Sequence, residues 1–323
     1  MNITSGTRHG AAVELHVILG AGLVGLAVME TLNARGKRVR IVNRKGVQAL
    51  PAGVENLTGD VASLDFARKA AEGATHVYDA LNAPYDKWPQ LFPPLQKGAV
   101  EAAATAGARL IVLENLYMYG NTHGAPMTEA MPNAATTVKG KVRAQMSEEL
   151  LAAHRSHQVR VAIVRASDFI GPRSIEGGLG GRVIYPALQG KAASVLGNPD
   201  LPHTYTFVPD VARAMVMLGE ADCALGQIWN VPNAPTITSR RYIEQIFAEV
   251  GKPARIAAAP KPLLWLLGRF NPTIGAVYEM TYQFEQPFIL DHSKFVRAFG
   301  DIATPTKTVV AETVAWYRAN PQR

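Results

Sequence analysis

An α/β fold, built on a doubly wound parallel sheet with a smaller C-terminal lobe, is what this 323-residue sequence predicts. Three observations carry the prediction. Apolar runs of strand length alternate with helical stretches through the first half of the chain. The first of these runs passes straight into a Gly20-x-Gly22-x-x-Gly25 turn. After Gly171-Pro172 the texture changes to short segments rich in glycine and proline. The alternation is the βαβ pattern of parallel strands whose connecting helices cover both faces of a sheet, and right-handed crossovers make it doubly wound.

The elements follow in order. HVILG (16–20) is the first strand, and the helix after it closes at Gly36. In that context the three glycines have separate roles. The first allows the tight turn, the second lets backbone approach a pyrophosphate, and the third lets helix and strand pack closely. A nucleotide cofactor in a Rossmann-type domain is therefore expected, held by Gly20, Gly22, Leu23, Val24 and Gly25. RVRIVN (38–43), VENLTG (54–59) and THVYDAL (75–81) are the next three strands. RLIVLEN (109–115) is the fifth, preceded by the alanine-rich helix GAVEAAATAGA, and RVAIVRASDF (160–169) is the sixth. These runs are apolar almost throughout, as a sheet buried on both faces requires.

Beyond Gly171, the segments SIEGGLGGR, LGNPDLP, NVPNAPTIT, GKPARIAAAPKP and FNPT read as a lobe of helices and loops beside the sheet. IWNV (228–231) reads as a strand able to return to the main sheet. The expected division is 12–170 plus 206–232 for the nucleotide-binding domain and 171–205 plus 233–323 for the substrate lobe. PLLWLLGRF (262–270) is too short to span a bilayer and serves either as plain core or as a wall of a substrate pocket.

Composition limits the function classes. Hydrophobic residues at 48% and charged residues at 18% suit a soluble globular protein. One cysteine, Cys223, rules out a disulfide framework or a cysteine metal cluster, so a reducing cytoplasm is expected. The opening MNITSGTRHGAAVEL has no continuous apolar core before the first strand and reads as a loose lead-in, not a secretory signal. The net charge of +7 comes from dispersed Lys and Arg, which implies a basic solvated surface or attraction for anionic ligands. Neither nucleic acid nor a membrane is expected as a partner; a small-molecule substrate is. His123, His154, His157, His203 and His292 have no metal-ligand spacing, and His203 is either a substrate contact or a loop histidine. No Gly-x-Ser-x-Gly elbow supports hydrolase chemistry.

The second strand ends in Asn43-Arg44-Lys45, where dinucleotide sites commonly carry an acidic residue for the adenosine ribose. A carboxylate would repel a ribose 2′-phosphate, whereas a guanidinium can bind one bidentately. NADP is therefore expected over NAD, with Asn43 and Arg44 at the adenosine end; the alternative for Arg44 is a plain surface charge. Asp60-Val61, after the third strand, suits the adenine edge, although an isolated Asp in a turn also serves as a cap. Leu81 and Asn82 after the fourth strand, and Ala166 and Ser167 after the sixth, are expected along the same coenzyme.

Taken together, GAGLVG (20–25), the Gly59–Val61 turn, LENLYMYG (113–120), RASDFIGP (165–172) and TFVPDVARAM (206–215) resemble the extended short-chain dehydrogenase/reductase family, its NAD(P)-dependent epimerase/dehydratase group. The resemblance covers nearly the whole chain and implies a Rossmann domain, a nicotinamide coenzyme and a possible homodimer. It also implies that Asp210 caps the helix it opens, and that Tyr119 is a structural tyrosine. Members normally carry Tyr-x-x-x-Lys on a helix plus a Ser or Thr after the fifth strand. No Tyr-x-x-x-Lys occurs here. On the matching helix Lys141 stands at the lysine position and Thr137 at the tyrosine position, while Asn115 takes the serine position. The Asp-Glu pair of sugar-nucleotide 4,6-dehydratases is replaced by Leu116 and Tyr117, so that chemistry is set aside.

Lys141 is then expected to hold the nicotinamide ribose or to be a solvated lysine. Tyr117, at the end of a central strand, is either a relocated proton donor or packing. Thr137 or Asn115 would fix the substrate oxygen, and Glu114 and Asp168 are further candidate acids. The expected function is an atypical NADPH-dependent oxidoreductase reducing a C=O or a conjugated C=C of a small organic molecule. Two alternatives stay open: an epimerase or lyase that recycles a bound coenzyme, and an NADP-binding redox sensor without turnover.

Overall fold

The computed structural model describes residues 14–259, 269–270 and 272–322. The lead-in up to residue 13 and residues 262–268 of PLLWLLGRF lie outside the described residues. Strand β1 (Leu15–Leu19) runs into helix α1 (Leu23–Ala34). Strands β2 (Arg38–Asn43) and β3 (Val54–Thr58), helix α2 (Leu64–Ala70), β4 (His76–Asp79), α3 (Trp88–Ala106) and β5 (Arg109–Glu114) follow. A 3-10 turn over Tyr117–Tyr119 leads to α4 (Val138–Arg155), β6 (Arg160–Arg165) and β7 (Asp168–Ile170). Then come α5 (Gly181–Gln189), β8 (Ala193–Leu196), β9 (Pro202–His203), β10 (Tyr205–Phe207) and α6 (Val208–Glu220). The remainder comprises β11 (Ile228–Asn230), β12 (Ile237–Thr238), α7 (Ser239–Val250), β13 (Ile256–Ala259), α8 (Pro272–Tyr278), α9 (Ser293–Phe299) and α10 (Thr306–Ala319).

Seven parallel strands form one sheet in the order β11-β6-β5-β4-β1-β2-β3. Alternate side chains of β1 explain why its sequence is apolar throughout. Ile18 faces a layer built from α1 and α6, with Val28, Leu32, Val211 and Met215. Val17 and Leu19 face the opposite layer of α2 and α3, with Ala67, Ala70, Ala99 and Ala103. Both faces are covered, so no polar face is needed. The chain leaves β1 toward β2 and β3, then crosses back to β4 on β1's other side. That reversal opens a crevice at the carboxyl ends of the strands, where doubly wound folds bind ligands.

Three local expectations need correction. The sixth strand stops at Arg165, because Ser167 turns the chain off the sheet: its hydroxyl donates to the Thr204 carbonyl and its N–H to Thr206 Oγ1. Asp168–Ile170 pairs instead with β10. Helix α3 begins at Trp88, ten residues before the alanine-rich run, with Pro93 and Pro94 inside it. Asp210 does not cap α6; Phe207 holds that position, and the buried Asp210 carboxylate accepts from the Thr304 N–H and hydroxyl and from Arg213.

A separate apolar cluster joins α5, α7 and α10 through Val183, Ile184, Ile243, Phe247, Val310 and Tyr317. No described helix is long and apolar enough to cross a membrane.

Candidate active site

The carboxyl ends of β1, β4, β5 and β6 border a cleft of about 640 Å³. At its β1 edge the glycine turn is built by close contact. A methyl group on Gly25 would lie 1.9 Å from the Gly20 carbonyl oxygen, so helix and turn could not approach. Gly20 has a φ of 102°, the region that favours glycine. Gly22 differs: a methyl there would meet nothing within 4 Å, so backbone faces open space at the start of α1. No side chain caps that helix. Its first N–H groups, at Leu23 and Val24, stay available to an anion, and the helix dipole adds to the attraction. A phosphate-bearing group fits this cradle.

The expected adenosine-end residues sit at the ends of β2 and β3, outside the residues that line the cleft. Asn43 closes its own turn, accepting from Gly46 N–H at 2.6 Å and donating to the Gly46 carbonyl. Arg44 is exposed, with no partner among the described residues. Asp60 is a turn residue: one carboxylate oxygen accepts from Ala62 N–H, leaving the other unengaged. Val61 is buried. Leu81, Asn82, Ala166 and Ser167 all line the cleft.

At the end of β5, Glu114 is buried with Arg165, Oε2 to Nε at 3.0 Å, while Oε1 has no partner. Asn115 lines the cleft, but its side-chain oxygen accepts from Tyr117 N–H and so shapes the turn. Tyr117 projects into an aromatic corner. Its hydroxyl lies 3.1 Å from that of Tyr85, and its ring stacks on Trp88 at 5.6 Å between centroids. Burial pushes the Tyr117 phenol up to about 12, with the negative Asp168 adding to the shift. Burial raises the Tyr85 phenol as well, and Tyr117 reinforces it. Tyr119 packs in an apolar cluster beneath, its ring 4.8 Å from the Arg165 guanidinium.

On α4 the structure corrects the register. Thr137 is the N-cap, its hydroxyl accepting from Gly140 N–H, and Lys141 is exposed. Neither lines the cleft. The pair four residues apart that turns inward is Lys139 and Arg143, both buried. Arg143 lines the cleft, donates to the Leu113 carbonyl at 3.1 Å and lies against the Phe92 ring, and its Nε has no partner. Burial lowers its pKa, and the charges of Glu114 and Asp79 oppose that shift. Lys139 sits 4.6 Å from the Tyr85 ring centroid and pairs with Glu279 at 3.0 Å. The physical reason is the cap: with Thr137 fixing the first turn, the inward face starts two residues later than the Lys spacing suggested.

Asp168 lines the cleft and bonds His203, Nε2 to Oδ2 at 2.9 Å. Asp79, at the end of β4, accepts from Leu81 N–H, and burial pushes its carboxyl up to about 6. Sequence reasoning missed Tyr85, Trp88, Arg143 and Gln283, which line the cleft, and the buried Asp79 and Lys139. For α4 a signal existed, since Thr-Thr before a helix marks an N-cap. For Tyr85 and Gln283, distant in sequence from the motifs, none did. No group of residues able to hold a metal occurs among the described residues.

Comparison with known proteins agrees with this geometry. The chain is 25% identical over 216 residues to a dTDP-glucose 4,6-dehydratase of Neisseria gonorrhoeae, a match covering 64% of this chain and 58% of that protein. The chain thus spans less than two thirds of that relative's length. Its fold superimposes on an epimerase from Methanothermobacter thermautotrophicus with a TM-score of 0.78 at 15% identity, covering 95% of this chain and 93% of the other. A UDP-glucose 4-epimerase of Thermus thermophilus, solved in complex with NAD, gives 0.74 at 19%, covering 95% and 100%. A family model described as the NAD dependent epimerase/dehydratase family matches residues 16–231, from β1 to the end of the sheet. With two thirds of its length inside that match, and with a doubly wound sheet, a glycine cradle and a strand-end cleft, this chain belongs to the NAD dependent epimerase/dehydratase family.

Proposed function

We propose that the protein is an NADP-dependent oxidoreductase with non-standard catalytic residues, reducing a C=O or a conjugated C=C of a small organic molecule. One observation carries the reading: the Tyr117 phenol lies in the cleft that opens beside the glycine turn, bonded to a second phenol. A phenol raised to about 12 stays protonated through the physiological range, which suits a donor and not a base.

The residues divide the work as follows. The N–H groups of Leu23 and Val24 would receive the pyrophosphate, with Gly22 leaving room for it. Arg44, free at the end of β2, would take a 2′-phosphate, and this supports NADP over NAD. The bound coenzyme supplies the hydride. Tyr117 donates its proton to the substrate oxygen or enolate, and the Tyr85 hydroxyl holds the phenol in place and stabilises the charge left behind. Arg143 replaces the expected Lys141 as the buried cation beside the site.

The test is NADPH consumption over a panel of carbonyl and conjugated compounds. Tyr117→Phe is expected to lower kcat by about a hundred- to ten-thousandfold, the span of general-acid catalysis, with coenzyme affinity unchanged. Unchanged turnover removes the proton role. Arg44→Ala is expected to weaken NADP binding by roughly ten- to a hundredfold while sparing NAD.

The names of the relatives favour a second reading, an epimerase or lyase that recycles its coenzyme. Purified protein carrying stoichiometric nicotinamide, without net NADPH consumption, would decide for it.

A further inference from the structure

Asp168 lines the same cleft and is bonded to the buried His203, yet neither passes the proton in the transfer described above. His203 is 3% exposed and packs against the rings of Tyr205, Phe284 and Phe288, with centroids at 4.6, 5.2 and 5.0 Å. It cannot swing. A carboxylate only accepts, so the His203 Nε2–H donates to Asp168 Oδ2 at 2.9 Å and fixes the carboxylate. The other oxygen, Oδ1, has no hydrogen-bond partner among the described residues, and the side chain is 24% exposed in the cleft wall.

Its surroundings narrow what it can meet. Tyr85, Trp88, Tyr117, Phe169 and Phe288 line the cleft with ring faces and edges that suit a flat apolar body. The described lining has two cations, Arg143 and Arg173, of which Arg173 is paired with a carboxylate and Arg143 is buried. Arg143 donates to the Leu113 carbonyl, and Arg173 holds both carboxylate oxygens of Glu30, at 2.6 and 3.2 Å. A diphosphate would meet only the buried Arg143 as a cation without a carboxylate partner, and it would face the charges of Asp168 and Glu176.

We infer, resting on the reductase reading, that Asp168 sets substrate specificity. Its free carboxylate oxygen accepts from a hydroxyl of a neutral, ring-bearing carbonyl compound and turns away nucleotide-linked substrates. His203 is a positioning residue for that carboxylate.

The experiment is calorimetric titration with para-hydroxyacetophenone, para-methoxyacetophenone and UDP-glucose, each with and without saturating NADP. Binding of the hydroxyl compound at least tenfold tighter than the methoxy compound, with UDP-glucose weakest, is expected. Asp168→Ala should abolish the hydroxyl preference and leave methoxy affinity unchanged, and the isosteric Asp168→Asn should reduce it. His203→Gln, which keeps an N–H donor, should retain the preference, and His203→Leu should lose it at equal melting temperature. Tighter binding of UDP-glucose, a preference that survives Asp168→Ala, or failure of both ketones to bind overturns the inference. Absence of NADP binding would sink the reductase reading, while selectivity in coenzyme-free protein would still decide the role of Asp168.

Discussion

Lys141 and Arg143 stand two residues apart on α4 and meet opposite surroundings. The first is exposed, and the second is buried against Phe92 with one guanidinium nitrogen unpartnered in the cleft wall. Side chains two apart point to different faces of a helix, so only one of them can serve the site. Lys141→Ala is expected to leave coenzyme affinity and kcat within about twofold, as surface substitutions generally do. Arg143→Met should lower kcat at least tenfold. Equal effects from the two would restore Lys141 to the site. Residue identity was readable here and residue facing was not, because a spacing of four fits Thr137–Lys141 and Lys139–Arg143 equally. The Thr137 cap decides between them.

At the scale of elements, the strand–turn–helix unit from Leu15 to Ala34 was the most readable part of the chain. Its glycines separate fold from binding. Gly25→Ala places a methyl 1.9 Å from the Gly20 carbonyl, so α1 must shift, at a cost of about 1–3 kcal/mol. Gly22→Ala meets open space, so stability should hold while the methyl obstructs the cradle. Thermal melts and coenzyme titration of both variants check this: Gly25→Ala should lose Tm and affinity, Gly22→Ala affinity alone. Equal melting losses would mean that the two glycines share one packing role. The start of α3 at Trp88 was not readable, since Pro93 and Pro94 argue against a helix. Packing overrides them, with the indole N–H of Trp88 donating to the Ala83 carbonyl and its ring meeting Phe92 edge to face.

Across the whole molecule, the end of the sheet opposite the cleft carries a buried histidine stack. His16 and His76, near the starts of β1 and β4, lie 4.5 Å apart and nearly parallel, and His16 Nδ1 is 3.2 Å from the Tyr78 hydroxyl. Burial lowers His16 to about 4 and lowers His76 as well. The unfolded chain therefore binds protons that the folded one refuses, and stability falls as pH drops from 6.5 toward 4. Asp79, raised to about 6, binds its proton earlier in the fold and offsets part of that loss. Melting temperature is expected to decline over this window in the native chain and to decline less in His16→Gln. An identical slope in the variant would remove the histidine stack as the cause.

The periodicity of apolar runs and the spacing of three glycines were enough to determine a doubly wound sheet with an anion cradle at its first helix. Both are local patterns, and neighbouring residues enforce them through steric fit and burial. Which side chains meet at the cleft and behind its wall was decided by tertiary packing alone. Tyr85 meets Tyr117, Asp168 meets His203 and Lys139 meets Glu279 across separations of 32, 35 and 140 residues. Such contacts follow from how helices seat on the sheet, and no local pattern encodes them.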